Sequence, residues 1–315
     1  MPRAVMFEQY GGVEVLDVVE VEPPQPGDGQ MVVRVRATGI NPFEAKLRSG
    51  VYEGAIPVSF PAAQGNDFAG VVEQLGANVE GFAVGDEVFG TTARRGSQAE
   101  LALAVQGRTL PRPAGLPWEV AGGLWTVGTT AYAAVAAVAP GAGDLVVVAG
   151  AAGGVGGLAA QLARVRGASV IGVASEGSHD WLRSRGIVPV AYDAGDSRGD
   201  GLGERLRQAA ADAGAPLSAM IEAAGNGYVA LAVELGIAPQ RIDTVVDSEA
   251  AAEYGARGDG AQAAPVPQSV AELAQLIVAG ELELPVAASF PLERVRDAYT
   301  LLEAGHPPGK IVLLP

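Results

Sequence analysis

Short runs of alternating apolar and polar residues dominate the first third of the chain. One run extends from Met31 to Ala37 (Met-Val-Val-Arg-Val-Arg-Ala), and clusters rich in proline and glycine, such as Pro23 to Gly29, separate the runs. A period of two is typical of strands that bury one face, and the clusters are typical of turns. We therefore expect residues 1–118 to form a compact, mostly β domain.

The pattern changes after about residue 118. Continuous apolar runs, such as Asp144 to Ala149, now alternate with stretches of helical periodicity, such as Leu158 to Arg166. Parallel strands that are buried on both faces alternate with amphipathic helices in this way. Residues 119–265 are therefore predicted to form a Rossmann-type, doubly wound parallel sheet.

The last 50 residues do not resemble an independent domain. Residues 266–315 contain two predicted helices, Ser269 to Ala279 and Leu292 to Glu303, and a final strand that begins at Lys310. A segment of this size is too small to bury a core of its own. We expect it to return to the first domain.

Composition and charge exclude several kinds of protein. With 315 residues, 49% hydrophobic and 18% charged, the chain is typical of a folded protein of two domains. Its formal charge of −15 repels phosphate backbones, so nucleic acid is not an expected partner. The sequence has no cysteine, no apolar signal-peptide core and no uninterrupted apolar stretch of membrane-spanning length. We expect a cytoplasmic protein without a membrane partner.

A glycine-rich turn follows the first strand of the second domain. Residues Gly150 to Gly156 lie between the strand that ends at Ala149 and a helix that ends before Gly167. This order exposes backbone N–H groups at the positive end of a helix, where the pyrophosphate of a dinucleotide binds. In the usual G-x-G-x-x-G spacing the first glycine position is Ala151, so the motif is a variant. The expected cofactor-binding residues are Ala151, Gly153, Gly154, Val155 and Gly156, and the alternative is a plain strand-to-helix turn.

The end of the second strand bears on the choice between NADPH and NADH. Enzymes that use NAD place an acidic residue there, about 20 residues past the turn, against the ribose 2′-hydroxyl. Here Ser175 stands at that point, and Ser175 and Ser178 can donate hydrogen bonds to a 2′-phosphate. Glu176 follows at once, and no arginine or lysine appears before Arg183. We predict NADPH, bound in part by Ser175 and Ser178; the alternative is two loop serines that cap the next helix.

Four motifs follow one another in a fixed order. They are Asn41-Pro-Phe-Glu-Ala-Lys-Leu-Arg-Ser-Gly-Val-Tyr, Gly65-Asn-Asp-Phe-Ala-Gly-Val-Val, Gly81-Phe-Ala-Val-Gly-Asp-Glu-Val-Phe-Gly and the turn at Gly150, and a fifth similarity follows at Gly309-Lys-Ile-Val-Leu. Together they resemble the zinc-free quinone oxidoreductase branch of the medium-chain dehydrogenase/reductase superfamily over essentially the whole chain. The resemblance implies an α/β fold: a GroES-like, mostly β catalytic domain made from both chain ends plus a Rossmann domain. It also implies a cofactor cleft at their junction and a homodimer.

The resemblance further implies that zinc is absent. Zinc-dependent relatives carry a catalytic cysteine near Asn41 and a histidine near Asn66, whereas this chain has no cysteine and only two histidines, His179 and His306. Catalytic zinc typically needs three protein ligands. We expect no metal, and we expect the histidines to be a surface residue and a turn residue.

Without zinc, hydrogen-bond donors must stabilise negative charge on a carbonyl oxygen while NADPH supplies a hydride. The resemblance implies that Tyr52 is such a donor; the alternative is an aromatic ring that only lines the pocket. It implies that Asn41 lies near the nicotinamide ribose and the substrate; the alternative is a turn residue before Pro42. Lys46 could add positive potential, although a surface lysine is the commoner outcome.

The resemblance implies four more roles. Thr130 would contact the nicotinamide or a phosphate, unless it is a buried helix threonine, and Tyr192 would pack near the adenosine 2′-phosphate. Lys310 would approach the phosphate, and Asp67 would be a structural partner beneath the site. The chain departs from the family after the fourth strand, and we expect a strand within residues 240–247 to lie under the nicotinamide.

These observations predict an NADPH-dependent, zinc-independent oxidoreductase. It would reduce a quinone, or the activated C=C bond of an α,β-unsaturated carbonyl compound, by hydride transfer. The alternative is a non-catalytic, NADPH-binding regulatory or structural protein whose cleft is vestigial, because folds can be reused without their chemistry.

Overall fold

The computed structural model describes residues 1–192, 201–225, 227–262, 267–305 and 308–315, so His306 lies outside the described residues. The chain divides by its contacts into two compact units. Unit 1 comprises Met1–Thr126, Val270–Ala279 and Leu284–Pro315, and unit 2 comprises Val127–Ser269 and Gly280–Glu283. The predicted boundary at residues 118/119 coincides with the first residues of a long helix, whereas the division by contacts falls inside that helix.

The described residues contain fourteen strands. They are β1 (Arg3–Phe7), β2 (Asp17–Glu20), β3 (Gln30–Gly39), β4 (Ala62–Ala63), β5 (Asp67–Leu75), β6 (Glu87–Thr92), β7 (Leu101–Pro111), β8 (Leu145–Ala149), β9 (Ser169–Ala174), β10 (Val188–Ala191), β11 (Leu217–Glu222), β12 (Ile242–Thr244), β13 (Val286–Pro291) and β14 (Lys310–Leu314).

The α-helices are α1 (Pro42–Arg48), α2 (Trp118–Val138), α3 (Gly154–Val165), α4 (His179–Ser184), α5 (Leu202–Ala213), α6 (Tyr228–Glu234), α7 (Ser248–Tyr254), α8 (Pro267–Val278) and α9 (Val295–Ala304). Short 3₁₀ turns directly precede two of them, Glu176–Ser178 before α4 and Leu292–Arg294 before α9. The two helices predicted in the last segment therefore exist, but the second begins three residues later than expected as an α-helix.

Unit 1 is built mostly on antiparallel strands, as the alternating pattern predicts, and β13 pairs with β14 in parallel. Six strands form one sheet in the order β13-β14-β3-β5-β6-β7, and β3 also pairs with β7, which closes part of the sheet on itself. The closed part surrounds apolar side chains that include Val33, Phe68 and Val88. β14 pairs antiparallel with β3, with Val312 opposite Gly39, so the last strand of the chain extends the sheet of the first domain.

Unit 2 contains a five-stranded parallel sheet in the order β10-β9-β8-β11-β12. All five residues of the central strand β8 are buried, because helices cover both faces of such a sheet. The predicted Rossmann sheet, and with it the α/β fold class, is confirmed. The strand predicted over residues 240–247 is shorter in the structure: β12 covers Ile242–Thr244, and a 3₁₀ turn from Pro239 to Arg241 occupies the first two predicted residues.

Helix α2 is long and apolar enough to cross a membrane by length and composition alone. However, 67% of its apolar window is buried inside the protein. Such burial is typical of the core helix of a water-soluble fold, and the expectation that no membrane is involved stays a prediction.

Candidate functional site

The glycine-rich turn of unit 2 has a specific backbone shape. Gly150 follows β8 with a positive φ of 75°, and Gly153 is the N-cap residue of α3. An added Cβ at Gly156 would lie 2.2 Å from the carbonyl oxygen of Gly150, so only glycine allows the helix to start this close to the turn. At Gly153 the nearest atom to an added Cβ is the same oxygen, at 3.4 Å, which leaves the approach to the helix terminus open.

This shape suits a pyrophosphate. The N–H groups in the first turn of a helix have no acceptor within the helix and can bind an anionic oxygen. The predicted turn residues supply this first turn, because α3 begins at Gly154 and continues through Val155 and Gly156. Gly150 adopts the left-handed conformation that the turn needs, so Ala151 at the next position does not prevent the turn from forming.

The tip of β9 presents two serines. Ser175 is exposed and Ser178 is buried, and their hydroxyl oxygens lie 3.5 Å apart. Neither side chain makes a capping hydrogen bond to the helical turn that follows it. Both serines thus occupy N-cap positions without a side-chain capping bond, and their binding of a 2′-phosphate stays a prediction.

Two further predicted cofactor residues lie in unit 2. Tyr192 directly follows β10 and is 40% exposed, and Thr130 is half-buried on α2. Ala191, the residue before Tyr192, is the strand partner of Ala174, so Tyr192 and Ser175 follow neighbouring strand ends.

Glu222, at the end of β11, is a residue whose role the sequence did not indicate. Its fully buried carboxylate accepts hydrogen bonds from the N–H groups of Ala224 and Gly225 and from the Thr244 hydroxyl of β12. An added Cβ at Gly150 would lie 3.1 Å from the carbonyl oxygen of Ala223. Glu222 therefore fixes a loop that packs directly on the glycine turn.

Unit 1 contains a buried polar cluster centred on Asn41, the N-cap residue of α1. The Asn41 Nδ2 group donates to Glu44 Oε1 at 3.2 Å and to Asp67 Oδ2 at 3.3 Å, and its Oδ1 accepts from Lys310 Nζ at 2.6 Å. Asn41 is only 2% exposed. These contacts hold the side chain of Asn41 at the start of α1, and its expected place near the nicotinamide ribose and the substrate stays a prediction.

Glu44 gathers more donors than any other carboxylate of this cluster. It accepts from the side-chain amide of Asn41 and, at 2.7 Å, from the Asn41 backbone N–H. It also accepts from the backbone and side-chain N–H groups of Asn66, each at 3.0 Å, and from the Tyr299 hydroxyl at 3.3 Å. Burial raises the pKa of the Glu44 carboxyl from 4.5 to about 7; the charge of Asp67 adds to this and that of Lys310 opposes it. Glu44 therefore joins α1, the segment before β5 and α9.

The side-chain amides of Asn41 and Asn66 both donate to the Glu44 carboxylate. Among the residues that the structure describes, no group of three His, Cys, Asp or Glu side chains is placed to hold a metal ion.

Lys310 is buried rather than surface-exposed, with 4% of its surface accessible. Its ammonium donates to the carbonyl oxygen of Ile40 at 2.7 Å as well as to Asn41, and its stem passes Gly39 and Gly123, where an added Cβ would lie 3.4 and 3.2 Å from Lys310 Cε. Burial lowers the pKa of Lys310, and the carboxylates of Asp67 and Glu44 oppose this. Lys310 thus holds the side chain of Asn41, and its expected approach to a phosphate stays a prediction.

Asp67 is held from the other side of the cluster. Thr126 donates to it through its hydroxyl at 2.6 Å and its backbone N–H at 3.2 Å. Burial raises the pKa of the Asp67 carboxyl, while Lys310 and the hydrogen bonds oppose this. The geometry is that of a structural partner, the role expected of Asp67.

Tyr52 lies in the turn that follows α1 and is half-buried. Its ring packs against that of Phe43, with centroids 5.5 Å apart and an angle of 31° between the planes. Phe43 is 37% exposed, and Lys46 is exposed one turn further along α1. The structure thus brings Asn41 and Lys310 together, but it pairs Tyr52 with Phe43 and leaves Lys46 on the surface.

Two protein families match the chain. The alcohol dehydrogenase GroES-like domain matches residues 27–139, and the zinc-binding dehydrogenase family matches residues 204–313. The second description is that of the family and does not establish a metal in this chain.

Relatives match over nearly the full length. The quinone oxidoreductase of Pseudomonas aeruginosa is 28% identical and the alignment covers 100% of both chains. That of Pongo abelii is 30% identical over 99% of this chain and 97% of the relative. Among solved structures, the quinone oxidoreductase from Coxiella burnetii superposes with a TM-score of 0.86 at 26% identity, covering 100% of this chain and 99% of the other.

Proposed function

Because the chain belongs to the quinone oxidoreductase branch of the medium-chain dehydrogenase/reductase superfamily, it is an oxidoreductase with a nicotinamide cofactor, and we propose that it uses NADPH. We propose that it reduces a quinone or the activated C=C bond of an α,β-unsaturated carbonyl compound. The observation that carries this proposal is the turn between β8 and α3, whose shape suits a pyrophosphate.

The residues present fit the cofactor. Gly153 leaves the terminus of α3 open, and Ser175 offers an exposed hydroxyl at the point where NAD enzymes place a carboxylate, with Glu176 as the next residue. When bound, NADPH supplies the hydride. Tyr52 stays our proposed donor of a hydrogen bond to the carbonyl oxygen of the substrate.

The first experiment is a titration of the purified protein with NADPH and with NADH, followed by nicotinamide fluorescence. We expect NADPH to bind at least about tenfold more tightly, which corresponds to about 1.4 kcal/mol. Addition of a panel of quinones and enones should then oxidise the bound NADPH. Binding without turnover of any acceptor would instead favour the alternative of a non-catalytic NADPH-binding protein.

A pair of variants ties the binding to the turn. Gly153→Val places a side chain where the pyrophosphate approaches, whereas Gly141→Val changes a loop glycine at the opposite end of β8, where an added Cβ meets no atom within 4 Å. We expect the first to weaken NADPH binding at least about tenfold and the second to leave it unchanged. Equal binding by both variants would remove the turn as the site. The homodimer and the cytoplasmic location expected from the sequence stay predictions.

A further inference from the structure

The loop between β6 and β7 carries two adjacent arginines without a partner. Arg94 is exposed and Arg95 is half-buried. Within the part of the chain that the structure describes, neither guanidinium forms an ion pair or a hydrogen bond. Most of the other described arginines pair with a carboxylate, as Arg34 does with Glu73. In a chain with 36 acidic and 21 basic residues, two neighbouring cations without a carboxylate are an exception.

The loop and the segment beside it contain no acidic residue. Residues 91–99 and 61–66 include neither Asp nor Glu. Backbone hydrogen bonds join the two segments, among them one from the Thr92 N–H to the carbonyl oxygen of Asn66 at 2.9 Å. Their own side chains therefore do not neutralise the arginines. Two like charges side by side repel each other, and an anion bound between them would remove this cost.

The loop is fixed at the end of unit 1 where α1 begins. Ser97, two residues after Arg95, is fully buried, and its hydroxyl lies 3.0 Å from that of Thr38 in β3. Thr38 also donates to the carbonyl oxygen of Asp67 at 2.7 Å. Asn41 follows Thr38 by three residues and caps α1. The arginine pair thus lies at the same end of the sheet as the polar cluster centred on Asn41.

Arg95 has a backbone conformation that favours glycine. Its φ is 68°, and Gly96 follows with a φ of 99°. Residues with a Cβ atom seldom adopt a positive φ, because the Cβ atom comes too close to a carbonyl oxygen. The strained residue carries a large cation that no other described group contacts. Strain of this kind, without a contact inside the protein that explains it, points to a ligand.

We propose that Arg94 and Arg95 bind an anionic group, a carboxylate or a phosphate, that the acceptor substrate carries. This inference rests on the proposed function and narrows it to acceptors that combine a quinone or an activated C=C bond with a negative charge. Guanidinium groups keep their charge at any physiological pH and bind both anions with parallel N–H donors. The formal charge of −15 repels such an acceptor, so a local positive site is needed to hold it.

The test uses one quinone and one enone, each prepared with a short alkyl chain in three forms. The chain ends in a carboxylate, in the methyl ester of that carboxylate or in a phosphate, and it separates the end group from the reacting bonds. Oxidation of NADPH gives kcat and KM for each form. We expect the original protein to prefer at least one anionic form over the ester by about 10- to 100-fold in kcat/KM. The preference should arise mainly from KM and fall as the ionic strength rises.

Removal of both charges should abolish this preference. In the double variant Arg94→Gln/Arg95→Gln we expect kcat/KM for the anionic forms to fall to that of the ester, and that of the ester to stay within about twofold. The control, Arg34→Gln/Arg108→Gln, removes the same net charge from exposed positions in unit 1 and should keep the preference. Should the first double variant not fold, Arg94→Gln alone decides by the same criterion.

The outcomes separate this inference from the proposed function. A preference for the carboxylate or for the phosphate form identifies the anion, and its loss in the arginine variant supports the inference. Equal turnover of all three forms by the original protein would overturn the inference, although the function stands. So would a preference that survives in the arginine variant, or one that the control loses equally. If no form oxidises NADPH, the proposed function fails. Calorimetric titration of the three forms then tests the arginines alone, and equal or absent binding overturns the inference.

Discussion

The methyl group of Ala151 occupies the space into which a side chain on Gly172 would project. An added Cβ at Gly172 would lie 2.9 Å from Ala151 Cβ, closer than two carbon atoms can approach. Ala151 stands at the first glycine position of the G-x-G-x-x-G motif, and the residue that it packs against in the adjoining strand β9 is a glycine.

Gly172→Ala should therefore destabilise the protein by about 1–3 kcal/mol, because the added methyl group overpacks this contact. The free energy of unfolding in urea measures the effect. Adding Ala151→Gly should restore part of the loss but not all of it, since Ile187 Cγ2 also lies 2.9 Å from the added Cβ. Gly177→Ala, where no atom lies within 4 Å, is the control. A full rescue would show that the Ile187 side chain can move aside without loss of stability. No rescue would contradict the contact between residues 151 and 172.

Lys310→Met should destabilise the protein by about 1–3 kcal/mol, because it removes the donor to Asn41 and to the carbonyl oxygen of Ile40 and the positive charge that opposes the effect of burial on Asp67 and Glu44. Chemical denaturation at neutral pH measures the loss. Lys46→Met, at an exposed position, should change stability by less than about 0.5 kcal/mol. Similar small effects at both positions would mean that the ammonium does not balance the buried carboxylates.

The raised pKa of Glu44 predicts a particular dependence of stability on pH. The folded protein holds this proton up to a pKa of about 7, whereas an unfolded glutamate releases it near 4.5. The contribution of protonated Glu44 to the free energy of unfolding is therefore fully present below pH 4.5 and is lost as the pH rises to about 7. Its size is on the order of 1–3 kcal/mol.

Glu44→Gln should flatten this part of the stability profile, and its deficit relative to the original protein should shrink as the pH rises. Glu53→Gln, in the exposed loop after α1, serves as the matched control. Unfolding free energies at intervals between pH 4.5 and 8 measure the slope. An unchanged slope in Glu44→Gln would assign the dependence to other groups.

Tyr52→Phe should lower kcat about 10- to 100-fold with any acceptor that the enzyme reduces, because the variant keeps the ring but loses the hydroxyl donor. The Kd for NADPH should not change. Tyr10→Phe, whose ring packs on Phe60 at 5.0 Å, controls for the loss of a phenol elsewhere in unit 1. Unchanged turnover in Tyr52→Phe would leave packing against Phe43 as the role of Tyr52.

The fold was predictable because its signals are local. The apolar run of β8, the glycines after it and the periodicity of α3 lie within about 25 consecutive residues, and each indicates the same βαβ unit. The capping box of α1 was also present in the sequence as Asn41 followed three residues later by Glu44, a spacing that predicts their hydrogen bonds.

The remaining site residues depend on contacts that no local pattern encodes. The hydrogen bonds between Glu222 and Thr244 and between Lys310 and Asn41 join different elements. The expected role of Lys310 rests on its position in the Gly309-Lys-Ile-Val-Leu motif. That position gives its place in the chain but not the direction of its side chain. Only the pairing of β14 with β3 brings it to the start of α1.

Lys46 and Lys310 are the two lysines of the sequence. Because Lys310 is enclosed, an amine-directed dye should attach to the folded protein at Lys46 and at the amino terminus. A reagent selective for ε-amines would thus place one reporter group on the same short helix as Phe43. The protein can thus be labelled at a single lysine without any substitution. The fluorescence of the attached dye would then report the binding of a planar, light-absorbing acceptor such as a quinone.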